Sequence, residues 1–505
     1  MPIPIGQRHS RRTKPRRSAG PRIVHIATEM TPLIKVGGLA DVVGALASDA
    51  SELDISVVLP GYASLLDGVW DADREPLDPI PFQYNGHPQS ARLWRIHLAK
   101  HPARLFALEM ACFSNREGIY TDPKTGEGFD DEGDRYAQFC LAALSTLPRI
   151  DLQPDILHLH DYQSALVPTL LKHGPSWGGY YDRTKTVLTL HNLAFQGIYP
   201  ESVAHRIAGL DQDFYPGGPL EFWGKTNFLK AGLIHADKIT TVSPTYAKEI
   251  QSGPQFGFGL EGVVQEQSGK LSSILNRIDT EYWNPETDPH LAANYDAKKM
   301  DSRKKNTEAL LESQKLQPGA PVVGMVTRLS DQKGIDLVRA AADRLLERSL
   351  RLVILGSGNK TYETFFEELA EKHSGRVSYD ASFNEPLAHQ IYGGADFLLM
   401  PSRYEPCGIT QQIAMRYGAI PVARRTGGLA DTLVDGHGQA GSEAKPNSLL
   451  FEDYTPEAML EALDRGLALS EDERRRWRTR AMQQDLGWNV ALGEYLSLYR
   501  DVLAS

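Results

Sequence analysis

Arg403-Tyr404-Glu405-Pro406-Cys407-Gly408-Ile409-Thr410-Gln411 is the stretch whose reading decides the fold. It follows the apolar run Asp396 to Met400, which reads as a buried parallel strand, and precedes Gln412 to Tyr417, which reads as a helix. Glu405 therefore falls at the C-terminal end of a strand, just ahead of a glycine that opens a helix. In open α/β sheets that crevice binds ligands, and the free N–H groups of a helix start attract anions there. A carboxylate in this place pairs badly with phosphate and suits sugar hydroxyls; the alternative is a loop carboxylate that faces water.

Working outward, strands at Pro321 to Thr327, Arg351 to Leu355, Val377 to Asp380 and Ile420 to Val422 belong with Asp396 to Met400 in one doubly wound domain. Its first strand runs into Arg328-Leu329-Ser330-Asp331-Gln332-Lys333-Gly334 and its second into Gly356-Ser357-Gly358. Two cations at a strand's C-terminal end suit a diphosphate better than a solvated face. An earlier set has the same organisation, with strands at Arg22 to Thr28, Ile55 to Pro60, Ile156 to His160, Thr186 to Leu190, Lys238 to Val242 and Leu271 to Leu275. A meander near residues 91 to 111 reads as an insertion in it. After the first strand comes Lys35-Val36-Gly37-Gly38-Leu39-Ala40-Asp41, a glycine pair opening a helix, as in phosphate-binding loops, although it is not Gly-x-Gly-x-x-Gly. Two later strands end in His160-Asp161 and His191-Asn192, polar residues that a core does not need and that otherwise cap loops. Gly37-Gly38-Leu39-Ala40-Asp41 recurs as Gly427-Gly428-Leu429-Ala430-Asp431, which suggests a glycine-opened helix in each domain.

Composition narrows the class. At 505 residues the chain exceeds what one core usually carries. Three cysteines, Cys112, Cys140 and Cys407, argue for a reducing compartment, hence the cytoplasm, and no Cys/His spacing resembles a zinc site. No apolar run approaches the ~18 to 20 residues of a membrane span. Net charge is -10 although residues 1 to 22 hold seven basic side chains and no acidic one, so the remainder is too acidic for a nucleic-acid binder. The expected organisation is a disordered basic tail over 1–20, a first domain over 21–271, a linker over 272–280, a second domain over 281–484 and a C-terminal helix over 485–505 that returns to the first domain.

From about Arg22 to its end the chain resembles the bacterial glycogen (starch) synthases, retaining glucosyltransferases of the two-domain GT-B type, with two Rossmann-like domains facing across a cleft. The resemblance rests on the motifs above together with His191-Asn192-Leu193-Ala194-Phe195-Gln196-Gly197, Phe228-Leu229-Lys230-Ala231-Gly232, Thr241-Val242-Ser243-Pro244-Thr245-Tyr246 and Arg425-Thr426-Gly427-Gly428. It implies that Arg328 and Lys333 hold the donor diphosphate, that Lys35, Gly37 and Gly38 approach the donor from the other domain, and that Asp41 binds a glucose hydroxyl. His191 would lie beside the anomeric carbon, Glu405 would contact the glucose hydroxyls, and Phe383 would stack on the nucleobase. Further substrate contacts are implied at His160, Asp161, Asn192, Asn276, Cys407, Gly408, Ile409, Thr410, Thr426 and Gly427.

The implied reaction moves glucose from ADP-glucose to the non-reducing end of an α-1,4-glucan such as glycogen, with no metal or other cofactor and no nucleic-acid or membrane partner. Attack comes on the leaving-group face, and the oxocarbenium-like state leans on the His191 carbonyl and the departing phosphate. A nicotinamide enzyme is disfavoured, because neither glycine pair completes the dinucleotide fingerprint. Another nucleotide-sugar transferase of this architecture, including one that uses UDP-glucose, and a non-catalytic polysaccharide-binding homologue are the alternatives. The chain departs from the family at Asn276-Arg277-Ile278-Asp279, where the family usually has glycine second; the expectation is an altered interdomain hinge.

Overall fold

The computed structural model describes residues 20–48, 52–68, 72–207, 218–382, 384–435 and 445–505. Residues 1–19 of the expected basic tail, and Phe383, lie outside them.

Two sheets carry the chain. The first has β1 (Arg22–Ile26), β2 (Asp54–Pro60), β3 (Ala72–Pro76), β4 (Ile80–Tyr84), β5 (His87–Leu98), β6 (Arg104–Glu109), β7 (Ile156–His160) and β8 (Lys185–Leu190). After a small three-stranded sheet of β9 (Ile198–Pro200), β10 (Glu221–Phe222) and β11 (Lys225–Asn227), it is completed by β12 (Lys238–Thr241) and β13 (Leu271–Ser273). Its order is β13-β12-β8-β7-β1-β2-β6-β5-β3, with β4 also on β5. The strands from β13 to β6 are parallel, and β1, β2, β7 and β8 within them are buried on both faces and largely apolar. The meander, expected as an insertion in this domain, takes its place within the sheet. β6 pairs with β2 in parallel and β5 pairs with β6 in antiparallel, so the meander extends the sheet edge.

The second sheet contains β14 (Val322–Val326), β15 (Arg351–Leu355), β16 (Val377–Asp380), β17 (Phe397–Met400), β18 (Ile420–Arg424) and β19 (Leu449–Phe451), all parallel, in the order β16-β15-β14-β17-β18-β19. Two apolar clusters cover its faces. In each sheet the chain winds one way from a central strand and then returns to wind the other way. The reversals fall between β1 and β7 and between β14 and β17, and these are the switch points at whose carboxyl ends such sheets bind ligands.

The chain passes between the two sheets near residues 276–278 and again near 485–487, and these segments pair. Ile278 N–H donates to the Leu486 carbonyl at 3.0 Å, and the Arg277 guanidinium donates to the Asp485 carbonyl at 3.2 Å. The last helix, Trp488–Ala504, buries Ala491, Tyr495, Leu498, Tyr499 and Val502, one helical face, in the first sheet's core cluster. Among the described residues no helix is long and apolar enough to cross a membrane.

Candidate active site

The loop after β1 is shaped by a carboxylate that sequence reasoning missed. Glu29, only 3% exposed, accepts from the N–H groups of Val36 and Gly37, the latter at 2.8 Å, and from the Tyr120 hydroxyl at 2.6 Å. One acidic residue after a strand carries no motif, so nothing in the spacing marks it. The loop it holds leaves Lys35, Gly37 and Gly38 exposed. A side chain at either glycine would meet nothing within 4 Å, so the protein's own packing does not require them to be bare. Lys35 Nζ pairs with Asp41 at 2.8 Å, joining two expected substrate contacts to each other.

At the ends of β7 and β8 the expected polar residues do come together. Asp161 adopts a left-handed backbone, φ 53°, and its Oδ1 accepts the N–H of His191 at 2.7 Å and of Asn192 at 3.4 Å. Burial pushes this carboxyl up to about 7, against the opposing pull of those two donors. The His160 side chain, one of the expected contacts, bonds within the protein. Its ring is wholly buried, with Nδ1 3.0 Å from His191 Nε2 and Nε2 3.0 Å from His25 Nδ1. His158 stacks on it at 4.4 Å, bonded to the Tyr499 hydroxyl and to Thr189. The nitrogens of His25, His158 and His160 lie within 4.8 Å of one another, a spacing that could suit a metal ion. The rings stack rather than converge, however, and of their nitrogens only His25 Nε2 lacks a partner among the described residues. The set is a hydrogen-bond network.

The opposite wall comes from β14 and β17. Lys333 closes a short 3-10 turn, Asp331–Lys333, and Gly334 follows with φ 72°, where a Cβ would sit 1.9 Å from the Pro401 carbonyl oxygen. That close approach docks one loop against the other. Lys333 Nζ reaches both oxygens of Glu405, at 2.9 and 2.6 Å, and Ser402 donates to the same carboxylate at 2.9 Å. Glu405 is 4% exposed, and a buried carboxylate of this kind needs such partners. Among the described residues the Arg328 side chain makes no ion pair or hydrogen bond. Gly408 turns the chain with φ 71° into the helix Thr410–Arg416, whose first N–H groups, beside Ile409 and Thr410, have no intrahelical acceptor.

The walls are tied at their rims. Ser243 donates to the Pro406 carbonyl at 2.5 Å. The Asn276 carbonyl accepts from Gln412 at 2.8 Å and lies 3.7 Å from Cys407 Sγ, so the Cys407 side chain faces the linker rather than the cleft, while Asn276 Oδ1 is buried without a partner among the described residues. Thr426 and Gly427, also expected contacts, are engaged across the domain boundary. The Thr426 hydroxyl and the Gly427 N–H donate to Glu249, at 2.8 and 3.0 Å, and Gly427 is wedged against the Glu405 carbonyl. They fasten the second domain to the first.

Comparison with known proteins bears on what this cleft does. Residues 22–266 match the family described as the starch synthase catalytic domain, and residues 306–484 match the glycosyl transferases group 1. A glycogen synthase of Syntrophotalea carbinolica is 40% identical over 487 residues, covering 95% of this chain and 98% of its own. One from Desulforudis audaxviator is 37% identical, covering 95% and 96%. The chain belongs to the glycogen synthase family. As a member of that family it is a glycosyltransferase, and its two-sheet architecture is the GT-B fold. The catalytic domain of starch synthase IV from Arabidopsis thaliana superposes with a TM-score of 0.86 at 31% identity, covering 96% of this chain and all of that one. Sucrose-phosphate synthase from Thermosynechococcus elongatus, at 0.57 and 16% identity, shares the fold.

Proposed function

We propose that this glycogen synthase transfers glucose from ADP-glucose to the non-reducing end of an α-1,4-glucan, with retention of configuration and release of ADP. The observation that carries the reading is the meeting of Lys333 with Glu405 at one switch point, opposite a glycine pair left bare at the other. Arg328 and Lys333 supply fixed positive charge where the diphosphate leaves, so the developing charge is stabilised without reorganisation. Lys333 turns from Glu405 toward phosphate as the donor enters, and Glu405 then accepts from glucose hydroxyls. The bare edge at Gly37 and Gly38 lets the donor approach the backbone, with Lys35 and Asp41 beside it. His191 and Asn192 face the sugar on the strand ends that Asp161 fixes, and Asn276, Gly408, Ile409 and Thr410 contribute polar backbone or side-chain atoms around it. The His191 carbonyl and the departing phosphate then stabilise an oxocarbenium-like state while the acceptor hydroxyl attacks from the leaving-group face.

The adenine nucleotide is supported by the starch synthase IV structure, which was solved with ADP and acarbose. Initial rates of glucose transfer to glycogen, measured with ADP-glucose and UDP-glucose in parallel and with excess chelator, test the proposal. Preference for ADP-glucose and insensitivity to chelator are expected; faster transfer from UDP-glucose, or loss of activity restored by Mg²⁺, would contradict it.

A further inference from the structure

Three imidazoles, beginning with His191, run in line into the core. His191 Nε2 lies 3.0 Å from His160 Nδ1, and His160 Nε2 lies 3.0 Å from His25 Nδ1. His25 sits on β1 and His160 on β7, and both are wholly buried. His25 ends the line, because its Nε2 is buried and has no partner among the described residues. His158, stacked on His160 at 4.4 Å and held by Tyr499 of the last helix and by Thr189, fixes the plane of the middle ring.

Burial drives the basicity of all three rings far down, to about 3 for His25 and His191, so each carries one proton. A neutral imidazole is a donor at one nitrogen and an acceptor at the other. Each of the two contacts needs one donor and one acceptor, so the middle ring must donate to one neighbour and accept from the other. Only two proton arrangements satisfy both contacts, and they differ at the two ends. In one, His25 carries its proton on Nε2 and His191 offers the cleft a bare Nδ1. In the other, His25 carries it on Nδ1 and His191 offers the cleft an Nδ1–H. The first leaves a buried N–H without an acceptor, the rarer way for a polar atom to go unpaired.

We infer that His25 and His160 are positioning residues that hold His191 in the Nδ1–H tautomer, so that it presents a hydrogen-bond donor to an oxygen of the bound sugar. The part of this inference that concerns the sugar rests on the site proposed above; the tautomer itself does not. The arrangement also gives the C-terminal helix a task at the site, since Tyr499 pins the ring against which His160 stacks.

The test is long-range ¹H–¹⁵N NMR of the full chain labelled at histidine, ligand-free near neutral pH, with the His191 signals assigned by their loss in His191→Asn. The proton is expected on His191 Nδ1; a proton on Nε2, or an even mixture of the two, would overturn the inference. His25→Leu should then mix the His191 tautomers and lower kcat about tenfold while KM for the donor changes less than about twofold. His25→Asn, which returns an amide N–H near the Nδ1 position, should recover most of that loss. Unchanged kcat in His25→Leu, or an Asn variant as slow as Leu, would refute the positioning role. Should His25→Leu fail to fold, the wild-type tautomer decides. Failure of the site proposal would instead show as undiminished transfer by Glu405→Gln, whatever the tautomer.

Discussion

The pentapeptide Gly-Gly-Leu-Ala-Asp occurs twice, and its two copies do different work. At 37–41 the glycines border open space and the aspartate pairs with Lys35. At 427–431 a Cβ on Gly427 would lie 1.9 Å from the Glu405 carbonyl oxygen, and one on Gly428 would lie 2.0 Å from that of Cys407. There the aspartate accepts from the N–H and hydroxyl of Thr245, at 2.8 and 2.7 Å, across the domain boundary. The first copy is not kept bare by the protein's own packing. The second is bare because the loop carrying Glu405 presses on it. A repeated motif thus reports a shared helix start and leaves the reason for its glycines to the surroundings.

That contrast can be broken by substitution. Gly38→Val should leave the unfolding temperature nearly unchanged, since the new side chain meets no neighbour, and should reduce glucose transfer about 100-fold by displacing the donor. Parallel thermal unfolding and rate measurements check this; loss of stability in step with activity would show that the first loop is structural as well. Gly428→Ala should do the opposite, destabilising the second domain by about 1–3 kcal/mol through overpacking against Cys407, with activity falling only as the folded fraction does.

A smaller effect distinguishes the site by pH. Asp161 is raised to about 7 by burial, well above its unfolded value, so the folded state holds this proton more tightly. The stability it contributes is therefore present below the ordinary carboxylate range and is lost as pH rises through 7. Activity should move the other way, because the ionised form best accepts the His191 and Asn192 N–H groups. An acid limb near pH 7 in kcat, absent in Asp161→Asn, together with an Asn variant that gains stability over wild type as pH rises, is the expected pattern. An unchanged limb in the variant would assign the titration elsewhere.

The smallest effect concerns Glu249. If the second loop serves the fold, Glu249→Ala should weaken the domain contact and leave the Kd for ADP within about twofold. Tightening by tenfold would return Thr426 and Gly427 to the ligand.

Much of this was legible in the chain. Parallel strands buried on both faces announce themselves as apolar runs, and β7 and β15 have the bounds that their runs suggest. The residues at strand ends, His160-Asp161, His191-Asn192, Arg328, Lys333 and Glu405, stood out because a core has no use for them. What stayed hidden depends on partners distant in sequence. Nothing in the spacing says that Glu29 reaches Val36 and Gly37, that His25 lies behind His160, or that Glu249 occupies the N–H of Gly427, since each needs the strand order or the domain packing. The meander's place in the sheet stayed hidden for the same reason: whether β6 joins β2 is decided by the sheet, not by its own alternation.

The central claim is that sugar transfer occurs where Glu405 and Lys333 meet. Glu405→Gln keeps the shape of the side chain and an oxygen that can accept from Lys333, while removing the charge that favours a positive sugar ring. The most direct measurement is single-turnover glucose transfer from ADP-glucose to glycogen by this variant, alongside its Kd for the donor. The account predicts a rate lower by about 100-fold or more with donor affinity within about tenfold, because the lost interaction is expressed mainly in the transition state. A rate within about twofold of wild type would contradict it.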